Sequence, residues 1–80
     1  MNLKILAFGI AKEILGQLEL SVQLTETATV ADLKQFLTEK YPDFQKLASL
    51  RVAVNTEYAD DHTILSPNDE IVLIPPVSGG

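Results

Sequence analysis

Only one stretch of these 80 residues carries apolar side chains at sustained helical spacing, and that limits the fold more than any other feature. Val30, Leu33, Phe36 and Leu37 form a single stripe on a helix that Thr29 opens. The Thr29 hydroxyl is placed to cap the free amides of the first turn, and Asp32 at the third helical position approximates a capping box. Tyr41-Pro42 closes the helix, because proline disfavours helical geometry in the residue before it. One helix cannot cover both faces of a sheet, so it must pack on one face and leave the other open.

The remaining apolar runs read as strands and short turns. Leu3 to Ile10 is an apolar first strand, and Ala11-Lys12-Glu13-Ile14-Leu15 is one helical turn closed by Gly16. Glu19 to Leu24 alternates with period two, setting Leu20, Val22 and Leu24 on one face and polar residues on the other. Phe44, Leu47, Ala48 and Leu50 suggest a short second turn over the end of the core. Arg51 to Asn55 is a third strand, and Asn55-Thr56 a turn in which asparagine tolerates a positive φ. Asp60-Asp61-His62 is a loop, Ser66-Pro67-Asn68-Asp69 fits a type I turn, and Glu70 to Ile74 is the last strand. The predicted class is α+β: a mixed sheet of four to five strands with one main helix on one face.

Composition narrows the chemistry. There is no cysteine and a single histidine, so disulfides, thiolate metal sites, cysteine nucleophiles and multi-histidine metal centres are not expected. With 46% hydrophobic and 21% charged residues the chain is of globular type, and its core must hold by packing alone. The formal charge of −5 gives no basic footprint for nucleic acid. No run approaches the roughly 18–20 apolar residues of a membrane span, and Met1-Asn2-Leu3-Lys4-Ile5 lacks the order of a signal peptide. A cytoplasmic location is expected. After Arg51 come Glu57, Asp60, Asp61, Asp69 and Glu70 with no basic residue, which either keeps a small domain soluble or meets a basic partner surface across residues 57 to 80.

Strand two is polar on its outward side, but the first and last strands are apolar on both. If they are neighbours, Leu6, Phe8, Val72 and Ile74 make a contiguous apolar patch on the open face. Central strands covered by a loop would give the same pattern, and the strands alone leave both readings standing. Pro75-Pro76-Val77-Ser78-Gly79-Gly80 follows directly. Two prolines end the sheet ladder and favour an extended arm, six residues of at most ~3.5 Å each, or about 20 Å. Glycine has no Cβ, so its tip can enter a channel too narrow for other residues, and a terminal carboxylate is open to activation as an acyl-adenylate. A bare Gly79-Gly80 could equally be a frayed or residual end, but the prolines, the patch and the acidic surround argue against that. Residues 1–74 are thus expected to form the folded domain and 75–80 a mobile carrier tail.

On these residues the chain resembles the small, sulfur-carrying subunits of molybdopterin synthase, which are ubiquitin-like β-grasp proteins. The likeness runs through Leu3-Lys4-Ile5-Leu6-Ala7-Phe8-Gly9, Lys12-Glu13-Ile14-Leu15-Gly16, Thr29-Val30-Ala31-Asp32-Leu33, Val54-Asn55-Thr56-Glu57-Tyr58 and, above all, Ile74-Pro75-Pro76-Val77-Ser78-Gly79-Gly80. Two departures stand out: Pro67-Asn68-Asp69-Glu70 where the family usually has a glycine, and Ala7 where an aromatic residue is common. The resemblance implies that an E1-like adenylating enzyme uses ATP to activate Gly80. A sulfur donor system, a cysteine desulfurase or rhodanese-like protein, then makes a thiocarboxylate. The arm delivers that sulfur to cyclic pyranopterin monophosphate inside the synthase large subunit, in a heterotetramer. It further implies that Gly79 gives clearance, that Pro75 and Pro76 aim the arm with Val77 and Ser78, and that Phe8 and Ile74, with Leu6, Val72 and Lys12 beside them, serve docking. No permanently bound cofactor, no metal and no catalysis by the chain alone are expected.

Alternatives remain open on the residues alone. A carrier for thiamine or tRNA thiolation would keep the tail chemistry but usually lacks the proline pair. A ubiquitin-like modifier would end in an isopeptide bond to lysine, and an inert interaction domain would not need Gly79-Gly80 at all. His62 beside Asp60 and Asp61 is a poor coordination set, and a solvated turn is the simpler reading.

Overall fold

The computed structural model describes residues 1–47 and 50–75. Ala48 of the expected second turn and the tail residues Pro76, Val77, Ser78, Gly79 and Gly80 lie outside the described residues. The strands are β1 (Asn2–Ala7), β2 (Glu19–Gln23), β3 (Arg51–Val54), β4 (Glu57–Ala59) and β5 (Ile71–Ile74); the helices are α1 (Gly9–Leu15) and α2 (Val30–Lys40). A 3₁₀ helix, Pro42–Lys46, follows α2 and buries Phe44. The strands form one sheet in the order β2-β1-β5-β3-β4. Only the central β1–β5 pair is parallel; the others run antiparallel.

Several boundaries differ from the sequence reading; β1 begins at Asn2 and β2 ends at Gln23. The first strand stops at Ala7, and Gly9 and Ile10 belong to α1. Gly9 has φ +57°, a reversal that an extended strand cannot contain and that glycine makes without a Cβ penalty. The single helical turn is therefore a seven-residue helix, with Ala11 and Leu15 buried. Gly16 closes it as foreseen, at φ 76°, its N–H donating to the Lys12 carbonyl at 2.8 Å. Asn55 and Glu70 lie just outside their strands because both belong to turns.

The core forms between one sheet face and α2. Leu3, Ile5 and Ala7 of β1, Val22 of β2, Val52 of β3, and Ile71 and Leu73 of β5 meet Val30, Leu33 and Leu37 of the helix. Each fully buried Leu or Ile contributes about 1.5–3 kcal/mol relative to exposure. Phe36 lies at the margin of the stripe, half-buried, with Lys40 Nζ 5.7 Å from its ring centre.

The start of α2 is closed on every side. Asp32 N–H donates to Thr29 Oγ1 at 3.3 Å and Thr29 N–H to Asp32 Oδ2 at 2.9 Å, a reciprocal capping box. Val30 N–H donates to the Thr63 carbonyl at 3.0 Å and Ala31 N–H to the Asp61 carbonyl at 3.1 Å. The connection before β5 thereby satisfies helix amides that would otherwise lack partners. Its far end is held by Asn55, whose Nδ2 donates to Asp69 Oδ1 at 2.8 Å while its Oδ1 accepts from Glu70 N–H at 3.0 Å. The hairpin turn itself sets Asn55 at φ 53° and Thr56 at φ 70°, the doubly positive pattern that suits a two-residue turn between right-twisted strands.

Candidate functional site

β1 and β5 pair, so the two apolar strands are neighbours. Leu6 faces Val72 directly across the parallel ladder, and Val72 faces Ala53. Continuing outward, Ala53 faces Tyr58 and Leu6 faces Glu19, so one row of side chains crosses all five strands on the side away from α2. No described helix covers that side. Leu6, Val72 and Ile74 are half-buried by their neighbours in the sheet, whereas Phe8 is 51% exposed and Tyr58 64% exposed. Four of the residues expected to dock a partner, Leu6, Phe8, Val72 and Ile74, thus share one end of the open face.

That end is where the tail leaves. Pro75 follows Ile74, and its Cγ lies 3.5 Å from the point where a Cβ on Gly9 would sit. Leu18 stands opposite core-facing Ala7, whose N–H donates to its carbonyl at 2.9 Å, so its 46% exposed side chain belongs to the α2 side of the sheet edge and not to this face. Ile10, 44% exposed on α1, lines a small concavity with Ile14, Asp43, Lys46 and Leu47 on the helical side of the sheet. Lys12 is exposed on α1 and lines a shallow concavity with Gly9, Ile10, Glu13 and Gly16.

Leu18 and Tyr58 escaped the sequence reading. Leu18 precedes the alternating segment, and β4 is three residues long, too short to show a period. The alternation that continues from Ala59 to Tyr58 is visible only once the turn at Asn55-Thr56 is known. Ala7 faces the core, where it is fully buried.

The acidic residues after Arg51 do not form one surface. Asp69 and Glu70 precede β5 and Pro75 follows it, so they lie at opposite ends of a strand roughly 13 Å long. Asp60 is tied into its own loop, its Oδ1 accepting from His62 N–H at 2.9 Å and from the Thr63 hydroxyl at 3.2 Å. Asp61 pairs with Lys34 Nζ at 2.9 Å, and that hydrogen bond and charge hold its carboxyl below the usual value. Among the described residues, no group of three or more His, Asp or Glu gathers to hold a metal, and no helix is long and apolar enough to cross a membrane.

A mixed sheet gripping one main helix, with its first and last strands parallel at the centre, is the ubiquitin-like β-grasp. The ThiS family profile matches residues 5–80, and the chain belongs to that family. A molybdopterin synthase sulfur carrier subunit from Arabidopsis thaliana is 33% identical over 81 residues, covering 100% of this chain and 84% of the relative. SAMP1 from Haloferax volcanii superposes with a TM-score of 0.84 at 26% identity, over 100% of both chains. A protein-protein complex of subunits 1 and 2 of molybdopterin-converting factor from Helicobacter pylori 26695 contains a chain similar at TM-score 0.69 and 27% identity, again over 100% of both.

Proposed function

We propose that this protein is the sulfur carrier subunit of a molybdopterin synthase, with the Gly80 carboxylate as the group that carries sulfur. The observation behind this reading is that the parallel β1–β5 pair places the apolar face of Leu6, Val72 and Ile74 at the root of a Pro75-Pro76-Val77-Ser78-Gly79-Gly80 segment. The sulfur carrier names of full-length relatives support it. The described residues offer a docking surface, not a catalytic constellation, so the acid–base chemistry belongs to the partners.

In the proposed cycle an E1-like enzyme joins the Gly80 carboxylate to ATP as an acyl-adenylate, releasing pyrophosphate. A persulfide of the sulfur donor system then attacks the adenylate and displaces AMP, and a thiol cleaves the resulting acyl disulfide to leave the thiocarboxylate and a new disulfide. The open face docks on the large subunit, as the two-subunit complex of the Helicobacter pylori relative suggests. The arm, stiffened at Pro75 and Pro76 and narrow at Gly79, presents its sulfur to cyclic pyranopterin monophosphate; two such deliveries build the dithiolene. We place the cycle in the cytoplasm, where ATP-dependent activation takes place.

Intact-mass measurement after incubation with the activating enzyme, ATP and the sulfur donor tests this. The expected result is an oxygen-to-sulfur exchange at Gly80 that disappears when Gly80 is deleted. Rescue of a molybdoenzyme in a host lacking the small subunit by the Gly80-deleted chain would refute the proposal. The likeness to SAMP1, a small archaeal modifier protein, favours one second reading, conjugation of Gly80 to lysine. That reading predicts high-mass conjugates in cells in place of free thiocarboxylate.

A further inference from the structure

Among the charged side chains on the open face, one stands next to the end of β5 and has no use in the tail chemistry. Arg51 stands directly opposite Ile74, the last residue of β5, and its guanidinium carbon lies 4.9 Å from the centre of the Tyr58 ring. Because Tyr58 pairs with Ala53, the two side chains meet on a diagonal of the β3–β4 ladder, on the same face as Val72 and Leu6. This cation–π contact holds the guanidinium over the ring, and a guanidinium in such a contact can still donate N–H bonds outward.

Among the described residues no carboxylate forms an ion pair with it. Arg51 borders a concavity that Lys34, Tyr58, Asp60 and Asp61 also line. Asp60 is engaged by His62 N–H and the Thr63 hydroxyl, and Asp61 by Lys34 Nζ. The ion pairs among the described residues are Lys34–Asp61 and Lys46–Asp43, and neither uses Arg51. A pre-oriented guanidinium fork beside an apolar surface matches a carboxylate, which accepts two parallel N–H bonds.

We propose that Arg51, oriented by Tyr58, is a docking residue for an acidic side chain on the protein that covers the open face. The inference rests on the sulfur carrier reading, since that reading supplies the partner. The partner surface it specifies has an apolar ridge over Leu6, Val72 and Ile74 and an Asp or Glu at its border within reach of Arg51. This is the opposite of the basic surface that the net charge of −5 suggests. Net charge governs long-range approach, whereas the contact is decided by the residues at this end of the sheet.

Titration calorimetry of the full chain against the synthase large subunit, at low and high salt, tests the assignment. Arg51→Glu is expected to weaken binding about tenfold or more at low salt, with a smaller loss at high salt. Arg51→Met keeps the aliphatic stem and is measured alongside as a less disruptive variant; it should lose affinity in the same direction. Arg51→Lys should recover only part of the loss, because an ammonium neither stacks nor bonds bidentately. Arg51→Met and Arg51→Glu binding as tightly as wild type at both salt concentrations would overturn the assignment while leaving the carrier function intact. A wild-type chain that neither binds the large subunit nor accepts sulfur at Gly80 would overturn the carrier function, and this inference with it.

Discussion

Leu6 and Val72 lie directly opposite one another in the parallel ladder, and this pairing brings the first and last strands of the chain together at the centre of the sheet. Two consequences follow from it. The outward side chains of both strands merge into one apolar surface, and that surface ends where Pro75 begins the tail. The proposed docking face and Pro75, where the tail begins, are thereby set side by side by backbone hydrogen bonds.

Phe8 separates docking from stability. Its ring is 51% exposed, so Phe8→Ala should change unfolding free energy by no more than about 0.5 kcal/mol. Affinity for the large subunit should fall about tenfold, as expected of an aromatic anchor. Denaturant unfolding together with calorimetry checks both. A large stability loss with unchanged binding would place Phe8 in the core instead.

Leu33 tests the core face of α2. It is fully buried beneath the sheet, and Leu33→Ala should cost about 2–5 kcal/mol through lost contacts and a residual cavity. Thermal or denaturant unfolding reads this directly. A near-neutral effect would contradict the packing of the helix stripe.

Thr56 offers a stabilising change. A β-branched residue at φ 70° is strained, and the left-handed region costs non-glycine residues roughly 1–2 kcal/mol. Thr56→Gly puts glycine directly after Asn55, the favoured order for a doubly positive turn. It should raise stability by about 1 kcal/mol after the added freedom of the unfolded chain is counted. A lower melting temperature would show that the threonine side chain outweighs its backbone strain.

Asp61 and Lys34 set an acid-sensitive link between α2 and the connection before β5. Lys34 lowers the Asp61 pKa in the folded state, first by its hydrogen bond and then by its charge. The link therefore contributes above the unfolded carboxyl pKa of about 3.9. It is lost as pH falls toward the lower folded value, and vanishes once Asp61 is protonated in both states. Lys34→Met should be less stable than wild type near neutral pH, and the difference should shrink through this acid range and in high salt. A difference independent of pH would mean that Lys34 acts through its aliphatic stem.

Much of the scaffold was legible in the residues. Thr29 and Asp32 announce the capping box, Gly16 the helix end, Tyr41-Pro42 the stop and Asn55 the positive-φ turn, because each acts through local backbone geometry. The reversal at Gly9 was missed because the apolar run from Leu3 to Ile10 continues unbroken through it. The polar clasp of Asn55 on Asp69 and Glu70 was also invisible, since nothing local brings those residues together.

By itself, the sequence determined most of the elements, the apolar faces and the composition of the arm, because helix caps, strand period and the Pro75-Pro76-Val77-Ser78-Gly79-Gly80 run are properties of neighbouring residues. Strand order belonged to the tertiary structure. Whether Leu6 and Phe8 join Val72 and Ile74 depends on β1 and β5 pairing across nearly the whole chain, and that pairing is chosen by the joint burial of Ile5, Ile71 and Leu73 under α2. The same assembly set Arg51 on Tyr58 beside the root of the tail and moved Asp69 and Glu70 to the far end of β5. Local charge on the open face is thus a product of folding, which the total of acids and bases along the chain does not contain.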